Sequence, residues 1–94
     1  MKPATTSTVQ VDNERTRVTE WRMAPGAATG FHRHELDYVV VPRTTGKLKV
    51  VDKGGNASLG EMTEGASYFR RAGVEHDIIN DNVFEFVFIE VELK

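Results

Sequence analysis

The chain has 94 residues, which is room for one domain with one hydrophobic core. Its formal net charge of −2 gives no strongly basic surface, so we expect neither nucleic acid nor an anionic membrane as a partner. Because the chain has no cysteine, disulfides and thiolate metal sites are excluded, and any metal must bind to imidazole or carboxylate.

Residues 1–7 include one lysine but no apolar run behind it, which is not the pattern of a signal peptide. No stretch approaches the roughly 18 consecutive apolar residues that a membrane-spanning helix needs. The hydrophobic fraction of 39% is typical of a folded globular protein. We therefore predict a single domain over residues 1–94 that functions in the cytoplasm, with no membrane partner.

Short runs rich in β-branched and aromatic residues alternate with turn residues along the chain, and no window has a sustained helical period. Residues 5–11 and 16–23 are predicted to form the first two strands, joined by a polar turn. The predicted strands that follow cover residues 30–41, 46–51, 57–62, 67–70, 74–80 and 83–93. About eight to nine short strands in so short a chain predict an all-β sandwich or barrel, whose edges are hidden by closure or layering.

The last predicted strand, residues 83–93, is apolar on both faces in its middle. One face carries Phe84, Phe86 and Phe88, and the other carries Val87, Ile89, Val91 and Leu93. Such a strand is either central and covered on both sides, or covered on one side by a second copy of the protein. Because a small domain gains stability from association, we expect a homodimer.

All three histidines belong to two short segments of the chain. Positions i and i+2 of a strand project to the same face, so His32 and His34 point together if their run is extended. Neutral imidazoles inside a barrel are good ligands for divalent transition metals, and His76 is the remaining candidate for a third ligand. On spacing alone, a His-x-His pair is also compatible with a half-exposed polar strand face.

Two segments together resemble the paired motifs of the cupin family. The first has Gly26, five residues, His32-Arg33-His34 and later Gly46; the second has Gly65, five residues, Arg71-Ala72-Gly73, two residues, His76, three residues and Asn80. Arg71 replaces the proline of the second motif. Residues 32–42 and 68–77 are also similar to small bacterial cupins named for β-alanine degradation.

The family's glutamate ligand is missing from the first motif, because its position falls at Tyr38 or Val39. The nearest acids are Glu35 and Asp37, and Asp37 is the better candidate because it directly precedes the apolar run. In an uninterrupted strand its side chain would face away from His34, so a bulge or loop would be needed to turn it inward. A solvated surface aspartate is the alternative.

The resemblance implies an antiparallel cupin barrel, or jelly roll, with a divalent transition metal (Fe, Zn, Ni or Mn). His32, His34 and His76 are the implied ligands, and we assign Asp37 as the fourth in place of the missing glutamate. If no acid binds, the site has three histidines and solvent fills the rest of the shell. The leading hypothesis is a cupin that binds a small organic acid or polar metabolite, with the metal acting as Lewis acid or as an anchor for O₂, as in an oxygenase or isomerase.

Two other functions are compatible with the same residues. One is a non-catalytic ligand-binding or sensing barrel with a structural metal, and the other is a metal-free barrel that works through dimer contacts. Cupins support many reactions, so no residue is assigned a catalytic role from the sequence. The pair Arg70-Arg71 either binds a substrate carboxylate or faces water.

Overall fold

A computed structural model describes residues 3–94 of the chain. Over these residues the chain forms nine β-strands and no helix. The strands are β1 (Thr5–Asp12), β2 (Thr16–Met23), β3 (His32–Arg33), β4 (Asp37–Pro42), β5 (Gly46–Asp52), β6 (Ala57–Met62), β7 (Tyr68–Arg70), β8 (Glu75–Ile79) and β9 (Phe86–Leu93). This part of the chain accordingly contains no helix that could cross a membrane.

The strands form two antiparallel sheets. A five-stranded sheet has the order β1-β2-β9-β4-β7, and a four-stranded sheet has the order β3-β8-β5-β6. Strands far apart in sequence become neighbours, such as β2 with β9 and β3 with β8. The buried core residues come from both sheets, so the sheets pack face to face. The predicted all-β class and jelly-roll layering are confirmed.

The alternation along β9 shows how the sequence builds this core. Phe86 and Phe88 are 0% and 8% exposed, and both pack between the sheets. Val87, Ile89 and Val91 project to the opposite face because side chains alternate along a strand. One apolar face of this strand therefore belongs to the core, and the other lies on the outside of the five-stranded sheet.

The predicted third strand, residues 30–41, is two strands that belong to different sheets. β3 pairs with β8 in the four-stranded sheet, whereas β4 pairs with β7 and β9 in the five-stranded sheet. The chain crosses between the sheets at residues 34–36. The last strand is also shorter than predicted, since it begins at Phe86 and not at Val83. Residues 83–85 lie before the strand, and Val83 is 93% exposed.

Asn80 is fully buried where β8 ends, and it joins three segments of the chain. Its amide Nδ2 donates to the carbonyl oxygens of Met23 at 2.9 Å, Ala24 at 3.3 Å and Phe84 at 3.0 Å. Its Oδ1 accepts from the backbone and side-chain nitrogens of Asn82. This asparagine of the second motif thus satisfies buried backbone groups, which would otherwise be costly to leave unpaired.

Candidate metal centre

Strand pairing and one loop bring the three histidines together. His32 on β3 lies directly opposite His76 on β8 in the strand register. His34 follows β3, and its backbone is fixed by two hydrogen bonds, from His34 N–H to Val74 O at 2.9 Å and from Gly73 N–H to His34 O at 2.8 Å. The segment between the sheets is therefore held beside β8, and its imidazole points back toward the pair.

The imidazole nitrogens of the three histidines converge on one point. The distance between Nε2 of His32 and Nε2 of His34 is 3.0 Å, and between Nε2 of His34 and Nε2 of His76 it is 3.1 Å. The ligand atoms of all three lie within 4.8 Å of one another. Because a metal ion binds imidazole nitrogen at about 2.0–2.1 Å, nitrogens spaced in this way can ligate one ion.

A backbone contact fixes the tautomer of one ligand. Nδ1 of His32 lies 2.8 Å from the carbonyl oxygen of Gly30, and a carbonyl only accepts, so Nδ1 carries the hydrogen and donates it. In the neutral ring, Nε2 then has a free lone pair directed at the other two imidazoles. An outer hydrogen bond of this kind is typical of metal-binding histidines.

Burial keeps two of the three imidazoles neutral, which is the state that binds metal. The pKa of His34 is lowered to about 4 by burial and by the neighbouring His32 and His76. The pKa of His76 is also lowered to about 4, by burial and by His32, against a smaller raising effect of Asp77. Protons therefore compete weakly for these two nitrogens at neutral pH. The three histidines fit a divalent transition metal.

The histidines line an interior cavity of about 40 Å³ between the sheets. One water molecule needs about 10–15 Å³ of such space, so the cavity has room for only a few small groups. A wider cavity of about 520 Å³ adjoins it, and both include Tyr38, Met62, Tyr68, His76 and Ile78 in their walls. The arrangement is a narrow inner chamber with a wide mouth.

Tyr38 occupies the position at which the family motif has glutamate. Its side chain is 3% exposed, and its ring stacks on the His34 imidazole with centroids 4.0 Å apart and planes at 18°. Burial raises its pKa to about 12, so the phenol is neutral. The residue orients His34 by packing, and it supplies no carboxylate.

Asp37 lies outside the histidine group. It begins β4, two residues before Val39 on the same face, whereas Tyr38 and Val40 are turned into the core. Its Oδ1 accepts a 2.7 Å hydrogen bond from the backbone N–H of Ala72. The predicted break before β4 is present, but it turns Tyr38 inward, and the Asp37 carboxylate contacts the loop of residues 71–74 instead. Ligation by Asp37 stays a prediction.

Glu90 also lines the cavity, and the sequence did not predict it as a site residue. It lies on the inner face of β9 and lines the inner chamber together with the three histidines. Burial, and then the nearby Glu92, raise its pKa to about 7. The signal in the sequence was a charged residue two positions after Phe88, on the face that carries core aromatics.

Of the neighbouring arginines at positions 70 and 71, the structure places only Arg70 at the site. Arg70 lines the mouth cavity, and its guanidinium carbon lies 4.5 Å from the centre of the Tyr68 ring. Its Nη1 donates to the carbonyl of Phe69 at 2.9 Å. Arg71 follows the end of β7 and is exposed, outside the walls of both cavities.

Two facing antiparallel sheets, with histidines from two distant motifs meeting in the space between them, define a cupin. The chain belongs to the cupin family. It is 52% identical over 93 residues to the β-alanine degradation protein BauB of Pseudomonas aeruginosa, covering 99% of this chain and 97% of that protein. It is also 52% identical to a cupin domain from Bordetella pertussis Tohama I, with a TM-score of 0.95 and coverage of 100% of this chain and 97% of the other.

More distant solved structures share the fold alone. A polyketide cyclase, RemF from Streptomyces resistomycificus, is 20% identical with a TM-score of 0.74, covering 98% of this chain and 67% of its own. A cupin superfamily protein from Desulfitobacterium hafniense is 12% identical with a TM-score of 0.73, covering 96% and 77%. No protein-family model matches the chain.

Proposed function

We propose that this cupin holds one divalent transition metal ion on His32, His34 and His76 and binds a small organic acid at that ion. The observation that carries the proposal is the convergence of three imidazoles in the inner chamber. An all-imidazole set suits zinc, nickel and iron better than manganese, which prefers oxygen ligands. When bound, the metal supplies a Lewis acid with open positions.

The size and charge of the site favour a small carboxylate as ligand. The inner chamber of about 40 Å³ excludes bulky molecules, and Arg70 places a cation at its mouth. The relative from P. aeruginosa is named for the degradation of β-alanine, which is a small carboxylic acid. A small ligand would fit the inner chamber, and its carboxylate would lie between the metal and Arg70 at the mouth.

Metal analysis of untagged protein, followed by oxygen uptake with a panel of small acids and amino acids, tests the proposal. Bound metal with turnover supports an oxygenase, and bound metal with ligand binding but no oxygen uptake supports the sensing barrel or a reaction without O₂. Protein that binds none of iron, zinc, nickel or manganese would refute the metal-dependent function.

Arg70 is proposed to bind the ligand's carboxylate, and its neighbour provides a matched control. Replacing Arg70 by Ala should weaken the binding of butyrate to zinc-loaded protein about tenfold, because a charge-assisted hydrogen bond is lost. The variant Arg71→Ala should stay within about twofold of wild type, since its side chain lines neither cavity. Titration calorimetry measures both, and equal effects of the two variants would contradict a specific role for Arg70.

We further propose that the outer face of the five-stranded sheet is covered by a second copy of the chain. Val39 and Val41 on β4 lie beside Val91 and Ile89 on β9, and Phe69, 47% exposed, lies opposite Val39. A contiguous apolar sheet face of this kind usually marks an interface.

Light scattering should give twice the chain mass of 10.5 kDa for the wild type. The double variant Val39→Asp, Ile89→Lys should run as a monomer, because it places charges on this face. The control Val9→Lys, on the edge strand β1 and 56% exposed, should remain dimeric. A monomeric wild type at tens of micromolar would overturn the assignment.

A further inference from the structure

Glu90 is a half-buried acid whose presence in the cavity is explained neither by the fold nor by the metal ligands. Its neighbours across the sheet are Thr19 on β2 and Val40 on β4, and each is 5% exposed. Over residues 3–94 its carboxyl group forms neither a hydrogen bond nor an ion pair with any side chain or backbone group. A carboxyl group that is partly removed from water without a partner is destabilising, so Glu90 is a candidate functional group of the cavity.

The charges around Glu90 are predominantly negative. Glu92, two positions along the same face, raises its pKa further, and Glu92 itself lies 3.9 Å from Arg17. The other groups within reach are the neutral phenols of Tyr38 and Tyr68, whose pKa values Glu90 raises. No lysine or arginine lines the inner chamber in the described part of the chain. The free protein therefore leaves this carboxyl group without a counter-ion.

The position of Glu90 in the chamber is opposite the histidines. The histidines belong to the four-stranded sheet and the segment that leaves it, whereas Glu90 belongs to the five-stranded sheet. Arg70 lines the mouth but not the inner chamber, and Glu90 lines the inner chamber but not the mouth. A ligand at the metal would thus have a cationic group on its outer side and an acidic group on its inner side.

We propose that Glu90 binds the amino group of the ligand, so that the cavity selects small amino acids over acids that lack the amine. This inference rests on the proposed function, because it assumes an acid bound at the histidine site. An ammonium group would donate hydrogen bonds to the Glu90 carboxylate and supply the missing counter-ion. A hydroxyl group could donate one hydrogen bond but would leave the charge unbalanced.

The test compares two ligands of equal size in zinc-loaded protein. β-Alanine carries an ammonium group where butyrate carries a methyl group, so their difference isolates the amine. Titration calorimetry at pH 7.5 should show that wild type binds β-alanine at least about tenfold more tightly than butyrate. In Glu90→Gln the ratio should fall to near one, mainly through weaker binding of β-alanine.

Two further variants control for structure and charge. Glu92→Gln removes the other acid of the same strand face, which does not line the chamber, and should keep the wild-type ratio. Glu90→Asp keeps the charge on a shorter side chain and should give an intermediate ratio. Zinc content and far-UV circular dichroism establish that each variant is folded and loaded.

The outcomes separate this inference from the proposed function. If wild type binds butyrate and β-alanine equally, or if Glu90→Gln keeps the ratio, the role of Glu90 is refuted while acid binding at the metal stands. If wild type binds neither compound, both proposals fail together. A ratio that falls in Glu92→Gln as much as in Glu90→Gln would assign the effect to overall charge and overturn a specific contact.

Discussion

Replacing His76 by Ala should abolish metal uptake and lower the melting temperature in metal-containing buffer by roughly 10–20 °C. A metal present at a hundred times its dissociation constant stabilises the folded state by about 2.7 kcal/mol, because it binds only when the ligands are assembled. For a domain of this size each kcal/mol corresponds to about 4–8 °C. Elemental analysis after dialysis and thermal unfolding, with and without EDTA, measure both effects.

Removal of metal provides the internal control for this variant. In EDTA, wild type and His76→Ala should melt within roughly 5 °C of each other, since His76 is only partly buried and its contribution depends on the ion. Unchanged metal content in the variant would remove His76 from the site. A melting difference of the same size in EDTA would show that the side chain acts through packing instead.

Asp37→Asn, measured in the same assay, distinguishes a ligand from a surface acid. We expect it to retain its metal, because the Asp37 carboxylate is engaged by the Ala72 N–H and lies outside the histidine group. The asparagine amide oxygen can accept the same hydrogen bond, so stability should change little. Loss or exchange of metal in this variant would establish Asp37 as the fourth ligand.

The second large effect is expected at Asn80. Asn80→Ala should lower the stability of metal-free protein by about 3 kcal/mol, or roughly 15 °C, because it leaves several buried backbone groups without partners. The carbonyls of Met23, Ala24 and Phe84 would lose their shared donor. Thermal and urea unfolding of the metal-free protein measure the loss.

Asn80→Asp separates hydrogen bonding from packing at the same position. Aspartate has nearly the same volume, but its carboxylate would face three carbonyl oxygens in place of an amide donor. At pH 7 it should therefore be at least as destabilising as Asn80→Ala. Near wild-type stability of Asn80→Asp would show that the amide hydrogens contribute little.

Local patterns predicted most of the strands. The alternation of polar and apolar residues and the turn residues between runs gave β2 and β6 with their observed bounds. The run of residues 30–41 was predicted as one strand because its residues favour extended structure throughout. Its division at residues 34–36 comes from pairing with two different sheets, which is a long-range property that composition does not report.

The spacing of the two motifs predicted the histidines of the site but not its other residues. The three histidines were predicted from two motifs, and the structure brings their nitrogens together. Asp37 was predicted as a ligand because it is close to His34 in sequence. The direction of its side chain depends on which residues of β4 face inward after the chain has crossed to the other sheet. Glu90 was not predicted because its importance depends on which strands face each other across the chamber.

The sequence by itself determined the alternation of each strand, the turns between most strands and the identity of the residues available as ligands. These follow from side-chain geometry and turn chemistry, which act over a few neighbouring residues. Only the tertiary structure decided that His32 pairs with His76, that Tyr38 stacks on His34 and that Glu90 faces the same chamber. His32 and His76 are 44 positions apart in the chain, and Glu90 is 58 positions from His32, so the closure of two sheets sets these neighbours. Tyr38 is close to His34 in sequence, but its ring reaches the imidazole only because the chain crosses from one sheet to the other between them.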